Sequence, residues 1–129
     1  MKKYNIELTE EQMRLVAYCL EDISRFASGQ CELLYTIENM VHKLPDFDEQ
    51  IKRRDDAEVL LEEIKKVLLP ELRHNESYGY NSTEFIGNVY QIYRTMLYQL
   101  AKDNGWNNVY SYPALPSGKM GSIKISRIE

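Results

Sequence analysis

Glu84-Phe85-Ile86-Gly87-Asn88-Val89-Tyr90-Gln91-Ile92-Tyr93-Arg94-Thr95-Met96-Leu97-Tyr98-Gln99-Leu100-Ala101 is the stretch that decides the fold. Phe85, Ile86, Val89, Ile92, Tyr93, Met96, Leu97, Leu100 and Ala101 recur at three- and four-residue intervals, which is the helical period. Together they cover more than half of the circumference, a width that belongs to the central helix of a bundle. Asn81 or Ser82 is the expected N-cap, and the helix should run to about Asn104 and stop at Gly105.

Upstream, three further helical segments supply what this one would pack against. Thr9-Glu10-Glu11-Gln12 reads as a capping box that opens a helix closed by Gly29. Its expected apolar stripe is Met13, Val16, Leu20, Ile23 and Ala27, widened by Cys19 and Phe26. A second helix is expected from about Cys31 to Leu44, with Leu33, Leu34, Ile37, Met40 and Val41 in phase and Pro45 as its stop. Asp46 or Asp48 would cap a third, whose stripe of Ile51, Leu60, Leu61, Ile64, Val67 and Leu68 ends at Pro70. Its charged block at 52–56 leaves open whether it is continuous. Glu58, Glu62, Glu63, Lys65 and Lys66 read as its solvent face, with Glu62 and Lys66 in the favourable i,i+4 order.

The ends read differently. Tyr4, Ile6 and Leu8 alternate with polar residues, as in a short strand with one buried face. Residues 71–81 form a loop. From Trp106 onward the pattern is irregular, and Val109–Tyr112 and Met120–Ile128 suggest short strands or a docking tail. The expectation is one mainly α domain over 1–129: an irregular four-helix bundle with short β strands from the N- and C-terminal segments, and 106–129 as an irregular docking tail.

Composition narrows the function. Chain length fits one domain, and 43% hydrophobic with 28% charged residues excludes disordered or low-complexity classes. The net charge of −4 and pI of 5.3 come with no basic cluster free of neighbouring acids, so duplex nucleic acid is not an expected partner. No stretch approaches the length of a membrane span, no signal peptide opens the chain, and the expected compartment is the cytoplasm. Cys19 and Cys31 lack metal or redox spacing and read as small buried hydrophobes.

None of the nucleophile, zinc, phosphate-loop or dinucleotide motifs occurs, so no catalytic residue is assigned. His42 and His74 match no ligand spacing and read as solvated polar residues; no metal or cofactor is expected. The suggestive constellation joins tyrosine to arginine, since tyrosine supplies 10 of the 14 aromatic residues. Tyr90, Arg94 and Tyr98 lie four apart, and an arginine held between rings presents a rigid fork to phosphate or carboxylate. Arg14, Tyr18, Glu21 and Arg25 form a matching stripe on the first helix, followed by Gln30. Tyr78 and Tyr80 precede the last helix. Tyr4 and Tyr93 read as core, while Tyr110 and Tyr112 are free to face a ligand. The expected ligand-binding set is Arg25, Gln30, Tyr78, Tyr80, Tyr90, Gln91 and Arg94: arginines for an anion, amides for hydrogen bonds and rings for a base.

The order of Glu7-Leu8-Thr9-Glu10-Glu11-Gln12, Ser24-Arg25, Gly29-Gln30, Ser77-Tyr78-Gly79-Tyr80, Tyr90-Gln91-Ile92-Tyr93-Arg94 and Ile125-Ser126-Arg127-Ile128-Glu129 resembles a family of small uncharacterised bacteriophage and prophage proteins. The matching polar positions are Ser24, Arg25, Gly29, Gln30, Tyr90, Gln91 and Arg94. That resemblance carries no activity but implies a phage setting. Small accessory proteins there act by binding host machinery or defence, including by sequestering nucleotide immune signals.

The leading expectation is therefore a non-enzymatic accessory protein that binds a small phosphorylated or nucleotide-like ligand. A protein-interaction module acting on a host or phage protein is the alternative, and a nucleotide-processing enzyme stands third. Outward-facing apolar positions also favour a homo-oligomer.

Overall fold

Thr9 opens the first helix with both halves of the capping box: Gln12 N donates to Thr9 Oγ1 at 3.1 Å and Thr9 N donates to Gln12 Oε1 at 2.9 Å. The computed structural model describes residues 1–129, and all of its regular structure is helical. Helix α1 spans Glu10–Ser28, α2 Leu34–Val41, α3 Phe47–Leu68 and α4 Glu84–Asn104, and a short 3₁₀ turn covers Val109–Ser111.

The expected terminal strands are not formed. Residues 1–9 and 112–129 lie outside any helix or strand, and no sheet exists for them to join. Tyr4, expected in the core, is 81% exposed. Alternation shows which side chains would share a face, but a strand also needs a partner edge to receive its backbone groups.

Other boundaries shift for identifiable reasons. Leu33 takes a left-handed conformation (φ 49°), so α2 begins at Leu34, later than the pattern implied. No side chain of its own caps that start. The carboxylate of Asp22 on α1 accepts from Tyr35 N at 3.3 Å, Thr36 N at 2.7 Å and Thr36 Oγ1 at 2.7 Å. Helix α3 is continuous through its charged block, where Arg53 pairs with Glu49 and Lys52 with Asp56 one turn apart. Thr83, one residue after the expected cap, accepts from Ile86 N and starts α4.

The core sits between α1 and α4. Ala17, Tyr93, Leu97 and Leu100 are buried together, with Met13, Leu20, Val89 and Trp106 against them. Helix α4 is the most buried element. On α1 the buried side differs from the expected stripe: Ala17, Asp22, Ser24 and Ser28 face inward, while Cys19 and Ile23 are exposed. Cys31 alone of the two thiols is buried, and that burial pushes its pKa up.

Packing is graded along the molecule: α4 on α1, α1 on α2, and α2 on α3. Helix α3 packs on neither α1 nor α4. Only 17 of 129 residues are buried, so much of the apolar surface has no intramolecular partner. Lys65, expected on the solvent face of α3, is 2% exposed; its ammonium donates to the carbonyls of His74 at 2.8 Å and Glu76 at 2.7 Å. Two backbone acceptors satisfy the buried cation and fix the 71–81 loop to α3. Glu62 pairs with His74, and Lys66 takes Glu63 in its place. No helix is long and apolar enough to cross a membrane.

Candidate functional site

Gly29 ends α1 in the left-handed region (φ 104°), turning the chain so that Gln30 returns over the last helical turn. There Arg25 Nη1 donates to Gln30 Oε1 at 2.8 Å, and Gln30 Nε2 donates to Ser77 Oγ at 3.4 Å. Tyr78 N donates to the Ser28 carbonyl at 2.7 Å, which lays the 77–80 loop along the end of α1. From that loop the Tyr80 ring meets Tyr90 of α4 with centroids 4.6 Å apart, and Tyr90 meets Tyr93 edge-on at 5.6 Å. Five of the expected residues, Arg25, Gln30, Tyr78, Tyr80 and Tyr90, therefore gather on one side of the molecule.

Two do not join them. Gln91 Nε2 donates to Ser122 Oγ at 3.4 Å, and Arg94 Nη2 donates to the carbonyls of Val109 at 3.2 Å and Tyr112 at 3.0 Å. Arg94 is 7% exposed and its guanidinium lies over the Tyr110 ring at 5.3 Å; the expected stacking between Tyr90 and Tyr98 is absent. Tyr98 takes the Lys102 ammonium over its ring at 4.5 Å. Arg94 and Gln91 thus hold the C-terminal segment onto α4.

Electrostatics limits what the gathered residues can hold. The Glu21 carboxylate stands 3.8 Å from Arg25 and opposes an incoming anion. Tyr78 donates its hydroxyl to Glu71 at 2.6 Å, which lowers the carboxyl pKa and raises that of the phenol. Glu21 also accepts from Tyr110 Oη at 2.7 Å, so this carboxylate ties α1 to the 3₁₀ turn. Tyr110, expected to face a ligand, is accordingly part of the fold. Rings at van der Waals separation leave little free face for a base, since Tyr80 and Tyr90 already tilt against each other.

No three His, Cys, Asp or Glu side chains converge as a metal site. Sequence reading passed over Asp22, set Lys65 on the solvent face and gave Glu21 no tie to Tyr110, because these partners are backbone groups or lie far along the chain. Only Gly87, a glycine inside a strong helical pattern, carried a local signal of close packing.

Burial, followed by the nearby Glu21 carboxylate, pushes the Tyr93 phenol up to about 12; burial and its bond to Glu21 push Tyr110 up as well. In the unfolded chain both ionise near the ordinary 10.0. The unfolded state then binds fewer protons, so stability is full below pH 10 and falls as pH rises from there toward 12. Each blocked phenol should contribute a slope of about 1.4 kcal/mol per pH unit in that window. Urea midpoints measured from pH 8 to 11 should fall above pH 10, and Tyr93→Phe should flatten the decline. An undiminished slope in that variant would contradict the assignment.

No protein-family model, curated protein or solved structure matches the chain. The fold and these contacts describe a small all-helical protein.

Proposed function

We propose that this chain is a protein-interaction module and that α3 carries its principal contact surface. The observation that carries the reading is the stripe of Leu60, Ile64, Val67 and Leu68. Their i, i+4, i+7, i+8 spacing is that of a core-facing helix, yet all four are exposed, Val67 to 77%. Covering these four would remove roughly 400 Å² of apolar surface from water, about half of one partner's share of a standard interface. The sequence resemblance to small phage proteins is in keeping with this, because such accessory proteins act by binding.

The test uses tagged protein and bacterial lysate, followed by reconstitution of the recovered partner from purified components. Wild-type protein should bind stoichiometrically, and Leu60→Glu with Val67→Glu should abolish binding while far-UV circular dichroism is unchanged. Equal binding by that variant would overturn the reading.

Binding of a small phosphorylated or nucleotide-like ligand is the second reading, favoured by the meeting of Arg25, Gln30, Tyr80 and Tyr90. It requires Arg25 to hold an anion against Glu21, with Arg94 and Gln91 engaged elsewhere. Thermal stabilisation by cyclic dinucleotides or ADP-ribose that is lost in Arg25→Ala would favour it over the α3 surface.

A further inference from the structure

Two open grooves flank α3, of about 590 Å³ toward α2 and about 350 Å³ toward the 71–81 loop, and they share Asp55 and Glu58. Their carboxylates are Glu32, Glu38, Asp55, Glu58, Glu62 and Glu63, against Arg54 as the one full cation. Six against one is a net −5 with His74 neutral, more than the −4 of the whole chain. Arg54 is already bound to Glu38, whereas Glu32, Asp55 and Glu58 have no ion-pair partner. Leu34, Ile37 and Val59 supply apolar wall between the acids. This face is distinct from the Leu60–Leu68 stripe, because helical spacing turns Asp55 and Glu58 well away from Ile64 and Val67.

The balancing charge lies in the C-terminal tail. After Asp103 the only acidic residue is Glu129 at the chain end, and the ten residues before it carry Lys119, Lys124 and Arg127 among Met120, Ile123, Ile125 and Ile128. Lys119 and Lys124 have no carboxylate partner, Arg127 donates to the Glu129 oxygen at the chain end, and Met120 and Ile128 are exposed. Groove and tail are thus complementary in charge and in apolar content, with Glu32, Asp55 and Glu58 on one side and Lys119 and Lys124 on the other lacking partners within the chain.

They do not meet within one copy. The tail is pinned to α4 by Ser117 Oγ on the Gly87 carbonyl at 2.8 Å, Met120 N on Asn88 Oδ1 at 3.1 Å and Gln91 on Ser122. Past Ser122 the six residues Ile123–Ile128 reach about 20 Å when extended. Within one copy no hydrogen bond or ion pair joins these residues to the groove, and the partners of the tail are on α4.

We propose that the basic, apolar tail of one copy docks in the acidic groove along α3 of a second copy. Reciprocal docking closes a dimer, and one-way docking extends a chain. Opposed patches of this kind govern partner choice and salt response.

The test is light scattering and sedimentation of the full chain at about 10–100 μM, in roughly 20 mM and 500 mM salt, where screening over a few ångströms replaces weak screening. Wild-type protein should self-associate at low salt and dissociate at high salt. Lys124→Glu with Arg127→Glu should weaken association about tenfold or more, as should Asp55→Lys with Glu58→Lys. An equimolar mixture of the two charge-reversed proteins should associate again, since the unaltered tail of the groove variant finds the unaltered groove of the tail variant; this recovery also shows that both variants fold. A monomeric wild type at low salt, wild-type association by either variant, or a mixture that stays dissociated would overturn the proposal. Salt-resistant association lost with Leu60→Glu would assign the contact to the α3 stripe and overturn it too.

Discussion

Leu97→Ala is expected to destabilise the protein by about 2–5 kcal/mol, the range for a leucine removed from a core that cannot collapse around the gap. Leu97 is 0% exposed and lies at the α1–α4 contact with Ala17, Tyr93 and Leu100. Its backbone is locked inside a helix, and one neighbour is already alanine, so little is available to move into the space. Few other residues are fully buried, so no second core compensates. Domains of this size are stable by only about 5–15 kcal/mol, and the loss would be a large share of the whole. Urea and thermal unfolding should show it directly, as a midpoint lower by roughly 10–20 °C. Leu68→Ala, on the exposed face of α3, should stay within about 0.5 kcal/mol of wild type. If the two variants were equally mild, the core would not lie between α1 and α4.

The contrast between these two leucines bears on what the sequence could reveal. Both sit on helices with a clear apolar period, and period alone places them alike. Periodicity identifies a face but is silent on whether anything covers it. That is why α4 and α1 were legible, while α3 read as a bundle member although it packs only on α2. The terminal strands failed for the same reason, because Tyr4, Ile6 and Leu8 alternate correctly but have no sheet edge to meet.

The candidate site was legible in part, and the division follows the kind of partner each residue finds. Arg25 and Gln30 are five residues apart across a glycine that had to turn, so their meeting follows from local geometry. Arg94 Nη2 donates to the carbonyls of Val109 and Tyr112 while Nη1 is buried without a partner, and backbone acceptors leave no mark in a sequence. Lys65 is the same case, a charged residue placed in solvent by its type and buried by two carbonyls. Asp22 caps a helix that starts a dozen residues later, beyond the reach of any local capping signature.

Gly87→Ala distinguishes a docked C-terminal segment from a loose one, because the two cases give opposite signs. In an isolated helix, alanine in place of an interior glycine stabilises by about 1 kcal/mol. Here a Cβ on residue 87 would stand 2.1 Å from the Ser117 carbonyl oxygen and 2.9 Å from its carbon. The fit is mutual: a Cβ on Gly118 would stand 2.1 Å from Asn88 Oδ1 and 2.8 Å from Asn88 Cα. Most of the obstructing atoms are backbone, which cannot swing aside like the end of a side chain. Relief requires the segment to lift, breaking the bonds from Ser117 to Gly87, Met120 to Asn88 and Gln91 to Ser122. Overpacking of this kind costs about 1–3 kcal/mol, more than the gain in helix propensity. The variant should therefore be less stable than wild type, with tryptic cleavage after Lys119 and Lys124 accelerated. Gly79→Ala is the control, since its Cβ would find only ordinary contact with Asn81 at 3.6 Å. A Gly87→Ala protein that gained stability and kept wild-type cleavage rates would show that nothing rests on this side of α4. Arg94 and Gln91 would then be free to face solvent and would rejoin Arg25 and Gln30 as candidate ligand groups.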